Sequence, residues 1–128
     1  MDPQTIGVIA STAVGFLSSF LAKASEAVAK QVGEDILQTL KAHFAKKPAA
    51  QEALADLQKA PDDADFQVAL RVQLRKALEE DTAFAAQLQQ LLQEAGKTEA
   101  GAIVIKQVAG NDAKQFGQVF GNITFGKD

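Results

Sequence analysis

The sequence predicts an all-α fold, a four-helix bundle with one long N-terminal helix, followed by a short β-forming, amyloid-type tail. Two observations predict the bundle. Apolar residues recur at helical spacing as far as Leu92, and Pro48, Pro61 and acidic groups at 62–65 and 79–81 punctuate them. A third predicts the tail: the chain is Ala-, Leu- and Lys/Glu-rich ahead of Gly101 and Gln-, Asn-, Gly-, Val- and Phe-rich after it. The expected organisation is a helical bundle with an apolar N-terminal segment over 1–96, a linker over 97–102 and a repeated motif over 103–125.

Composition narrows the function classes. At 128 residues, 47% of them hydrophobic, the chain makes one domain with a real core. A net charge of -3 with scattered basic residues gives no clustered basic face for nucleic acid. The absence of cysteine rules out disulfides and thiolate metal sites and fits a reducing, cytoplasmic setting.

The first segment, from Pro3 to Ala22, contains no charged residue. As a helix it would be roughly 30 Å long, the thickness of a bilayer's hydrocarbon core. Asp2 stands where a secretory signal needs positive charge, so a signal peptide is not expected. Ile6, Val8, Ile9, Val14, Phe16, Leu17, Phe20 and Leu21 supply the apolar surface and are the candidate membrane-insertion residues; Gly7, Ser11, Gly15, Thr12, Ser18 and Ser19 dilute them. Gly7, Ser11 and Gly15 fall at i, i+4 and i+8, a stripe along which helices can approach closely. Two readings stand side by side: the buried central helix of a soluble bundle, and a span stored in the bundle and released on activation.

Periodicity continues without a breaker to Phe44, with Val28, Val32, Ile36, Leu40 and Phe44 every fourth residue and Ala29 and Leu37 alongside. This predicts a single long helix through Gly33, read as a tolerated interior glycine, ending at Lys46-Lys47-Pro48. A shorter helix from Pro48 carries Leu54 and Leu57 and closes before Pro61. Asp62, Asp63 and Asp65 then sit where carboxylates cap the backbone N–H groups of a helix start. That helix presents Phe66, Leu70, Leu74 and Leu78. Asp81 is the candidate N-cap of a last helix with Phe84, Leu88, Leu91 and Leu92, and Gly96 is its stop.

Little in the chain suggests catalysis. His43, the only histidine, lies near the end of the long helix, where a solvated or dipole-stabilised imidazole is expected. The acidic groups lack the spacing of a calcium loop. Gly96-Lys97-Thr98 imitates the end of a phosphate-binding loop, but Leu91 occupies the position of the first glycine and a helix precedes it. Asn122-Ile123-Thr124 is a glycosylation sequon without a secretory context. The expectation is a non-enzyme with no catalytic, cofactor-binding or metal residues and no cofactor.

The tail is written twice. Lys106-Gln107-Val108-Ala109-Gly110-Asn111 returns as Gly117-Gln118-Val119-Phe120-Gly121-Asn122, eleven residues on. Ile103-Val104-Ile105, the valines and Ile123-Thr124-Phe125 favour strands, and the Gly-Asn pairs favour turns or arches. Gln107, Gln115 and Gln118 carry amides that form ladders when identical strands stack, and no proline follows Pro61 to oppose stacking. A hairpin on the bundle and a disordered tag are the alternatives, but an isolated hairpin is marginal in water, whereas a duplicated strand-arch unit gains most from stacked copies. The candidate self-assembly residues are Gln107, Val108, Gly110, Asn111, Gln115, Phe116, Gly117, Gln118, Val119, Phe120, Gly121, Asn122, Ile123 and Phe125.

On these residues the tail resembles the bacterial amyloid signalling motifs, relatives of the RIP homotypic interaction motif of animal necroptosis and of fungal prion-forming motifs. The apolar start running into Ala24-Ser25-Glu26-Ala27-Val28-Ala29-Lys30-Gln31-Val32-Gly33-Glu34 is similar to the bacterial Bell domain, an analogue of the fungal HeLo and HeLo-like domains. The resemblance implies a cell-death or anti-phage effector, cytoplasmic when inactive and at the plasma membrane when activated. A cognate sensor with a matching motif would template the tail into a fibrillar homo-oligomer, and the N-terminal helix would then attack membrane lipids. The alternative is an adaptor or scaffold whose bundle recruits a partner protein while the tail only oligomerises; deleting the N-terminal segment is expected to spare partner binding in that case.

Overall fold

The computed structural model describes residues 3–22 and 27–96, which form five helices: α1 (Pro3–Ala22), α2 (Ala27–His43), α3 (Pro48–Lys59), α4 (Ala64–Glu80) and α5 (Thr82–Gly96). The described part is all-α, with no strand among the described residues. Residues 97–128, with the linker, the repeat and every candidate self-assembly residue, lie outside it.

The expected four helices are five because the long N-terminal helix is two. Its two halves pack against each other, which a continuous rod cannot do. A helix from residue 3 to 44 would extend roughly 60 Å, leaving most of its apolar stripe in water. Folding back covers both halves. The contact also corrects the reading of Gly33, which is buried against the ring of Phe20 and is not merely tolerated. The side chains of Val28, Ala29 and Val32 lie outside the described part; Ile36, Leu37, Leu40 and Phe44 from the same stripe are buried.

The remaining boundaries follow local chemistry. The chain leaves α2 through a turn in which Phe44 N–H donates to Leu40 O at 2.9 Å and Lys47 N–H to Phe44 O at 2.9 Å. Pro48 opens α3, where its missing N–H would have no partner in any case. Asp63 caps α4: its Oδ1 accepts from Asp65 N–H at 2.9 Å and Phe66 N–H at 3.2 Å. Asp81 Oδ1 accepts from Phe84 N–H at 3.1 Å and caps α5 in the same way. Helix α5 is assigned through Gly96, the residue expected to stop it.

Helix α1 is the centre of the fold. It packs against each of the other four helices, most extensively against α4; around it α3 contacts α4, α4 contacts α5 and α5 contacts α2. The core draws on every element: Ile9, Phe16 and Leu17 from α1, Ile36 and Leu40 from α2, Leu57 from α3, Leu70, Leu74 and Leu78 from α4, and Phe84, Leu88 and Leu92 from α5. Phe66 and Leu91 pack against its margin. Each large aliphatic or aromatic side chain so buried contributes about 1.5–3 kcal/mol.

Candidate functional site

No charged side chain interrupts α1, so the helix can bury most of its circumference. Ile6, Ile9, Val14, Phe16 and Leu17, five of the eight candidate insertion residues, are buried in the core; Val8, Phe20 and Leu21 are partly buried against it. The structure therefore gathers all eight on one helix, five in the core and three at its margin. Ala10 and Ala13 allow close approach by neighbouring helices, and both are fully buried. Gln4, Ser11 and Ala22 mark the exposed side. Gly7, from the small-residue stripe, belongs to that open side: a Cβ placed on it would meet nothing within 4 Å.

This is one helix, among the described residues, long and apolar enough to cross a membrane, with half of its most apolar stretch buried in the bundle. A core helix of a soluble protein and a signal sequence share those properties. Two polar side chains of α1 lie in the core. Thr12 and Ser18 are both buried, and among the described residues Ser18 Oγ has no hydrogen-bond partner. An unsatisfied hydroxyl in a core costs about 1–3 kcal/mol. In the sequence both residues only dilute an apolar run; burial turns Ser18 into an energetic liability.

The chemistry-bearing residues have structural places. His43 is half-buried in the last turn of α2, stacked on Phe84 with ring centroids 3.9 Å apart and planes 13° from parallel, and its Nε2 lies 3.4 Å from Gln87 Oε1. It joins α2 to α5, where solvation or the helix dipole alone was expected. Asp63 and Asp81 are caps, and Lys47 Nζ pairs with Glu80 at 2.9 Å on the surface, joining the start of α3 to the end of α4. No group of three or more His, Cys, Asp or Glu residues that could hold a metal ion occurs among the described residues.

One open groove of about 380 Å³ lies between α3 and α4, lined by Ala49, Glu52, Ala53, Asp56, Ala69, Val72 and Gln73. Val72 and its neighbour one turn back, Val68, are each 45% exposed. Both lie outside the stripe of Phe66, Leu70, Leu74 and Leu78 that marks the buried face of α4, and their i, i+4 spacing is the only sign of them in the sequence. No family model matches the chain, and no curated protein or solved structure shows significant similarity to it.

Proposed function

We propose that this protein is a non-enzymatic, membrane-targeting effector of programmed cell death or anti-phage defence, switched on when a cognate sensor templates residues 103–125 into an amyloid-type stack. The observation that carries the reading is the double character of α1: uncharged and of bilayer length, yet the helix around which the other four pack. A helix in that position cannot leave without dismantling the bundle, so its membrane activity is withheld while the bundle is intact. Stacking of the tails concentrates many copies at one place and offsets the free energy of opening them. The protein is cytoplasmic before activation and reaches the plasma membrane after it.

A charge on the exposed face of α1 tests this without disturbing the core. Ser11 is exposed and near the middle of the helix. Ser11→Asp should change bundle stability by no more than about 0.5 kcal/mol, as surface substitutions do. At the centre of a membrane helix the same charge costs about 2.5–3.5 kcal/mol. Seeded wild-type protein should empty dye-loaded vesicles, and the seeded variant should form the same fibrils and release far less. Equal release by both would remove α1 from the mechanism.

The adaptor reading keeps one specific observation, the exposed Val68 and Val72 beside the α3–α4 groove. Val68→Lys with Val72→Lys should abolish recruitment of a partner in that case and leave vesicle release unchanged in the effector case.

A further inference from the structure

Phe20 and Gly33 meet where α1 folds back on α2. A Cβ built on Gly33 would press against the Phe20 ring, in clash with Cδ1, 2.5 Å from Cγ and 2.7 Å from Cε1. Real Cβ atoms essentially never come within 3.0 Å of a neighbour. Because Cγ is the root of the ring, rotation about the ring axis cannot clear the overlap; the whole side chain must swing away or the two helices must separate. Gly33 is buried and Phe20 partly buried against the core. In an ordinary helix interior Gly is a worse choice than Ala, so what Gly33 gives here is the space that admits the ring.

We propose that the Phe20 ring seated on Gly33 is the latch that holds α1 in the bundle, so that release of α1 begins with withdrawal of this ring from α2. The latch lies at the C-terminal end of α1, beside the join to α2. Withdrawal of Phe20 would loosen α1 from α2 while its packing on α4 still held. The proposal rests on α1 being the element released, and its test separates the latch from the membrane activity.

The chain has no cysteine, so Ala13→Cys, at a position fully buried in α1, gives a single thiol whose reaction with a maleimide reports α1 leaving the core. In this full-length background three variants are compared with the parent: Gly33→Ala, Phe20→Ala, and both together. Overpacking a fitted contact is destabilising, and Gly33→Ala alone should accelerate labelling about tenfold or more and lower the denaturation midpoint. With Phe20 already Ala, the added methyl has room. Gly33→Ala should then slow labelling or leave it unchanged, because only its better helix propensity remains. This reversal of sign is the signature of the latch.

If Gly33→Ala slows labelling in both backgrounds, the ring is not a latch. If Gly33→Ala alone fails to fold while the double variant folds, the dependence on the ring is shown in its strongest form; failure of both variants would make the defect independent of the ring and overturn the proposal. Vesicle release is read separately. Faster labelling without release keeps the latch and removes the membrane reading, whereas release without faster labelling removes the latch alone.

Discussion

At the scale of single residues, the buried Ser18 hydroxyl and the exposed Asp63 carboxylate make opposite contributions. Asp63 satisfies two backbone donors at the start of α4, and Asp63→Ala should cost about 1 kcal/mol in a urea titration. Ser18 Oγ has no hydrogen-bond partner among the described residues. Ser18→Ala removes the stranded group and adds helix propensity, so it should stabilise the protein by about 1 kcal/mol. In a domain of this size that raises the melting temperature by about 4–8 °C. A lower melting temperature for Ser18→Ala would mean that the hydroxyl holds a structural role. Both residues were visible in the sequence, but only Asp63 could be read there. An N-cap is a local arrangement within four residues, whereas the cost at Ser18 depends on what packs over it from elsewhere in the chain.

At the scale of elements, the limits of α3, α4 and α5 were legible because they have local causes. Pro48 and Pro61 cannot sit inside a helix, and Asp63 and Asp81 cap the helices that follow. The break between α1 and α2 had no such marker. Lys23-Ala24-Ser25-Glu26 contains neither proline nor glycine, and its composition suits a helix. What divides the helices is tertiary: two apolar stripes cover each other, and Phe20 finds the notch at Gly33. The available clues were the change from uncharged to charged sequence at Ala22-Lys23 and an uncapped periodic run far longer than helices in small domains. Core and surface of one helix should also respond differently. On α4, Leu74→Ala should cost about 2–5 kcal/mol, because Leu74 is fully buried. Val72→Lys, two residues away in sequence and on the opposite, exposed face of the helix, should stay within about 0.5 kcal/mol. Equal losses in chemical denaturation would show that the outer face of α4 is covered in solution.

For the whole molecule, the central position of α1 changes what a deletion means. Removing residues 1–22 takes away the helix on which all the others pack, together with Phe16, Leu17 and Ile9 from the core. The truncated chain should lose cooperative unfolding, seen as a broad, shallow melt. Loss of partner binding in it would then say nothing about adaptor function, which is why single charges on exposed positions of α1 and α4 discriminate better. The tail stands on its own sequence logic, and a peptide of residues 101–128 should form fibrils with a strand repeat of about 4.7 Å. A peptide that stays monomeric would leave the bundle without its proposed trigger.

The central claim is that tail assembly moves α1 from the bundle into lipid. Ser11→Cys places the chain's one thiol on the exposed side of α1, where an environment-sensitive dye faces water while the bundle is intact. Full-length labelled protein is mixed with anionic vesicles, and its emission and quenching by lipid-borne quenchers are followed before and after seeding with preformed tail fibrils. The account predicts an aqueous signal at first, then a blue shift and strong quenching that develop with fibril growth. Fibrils that grow while the dye stays in water would contradict it.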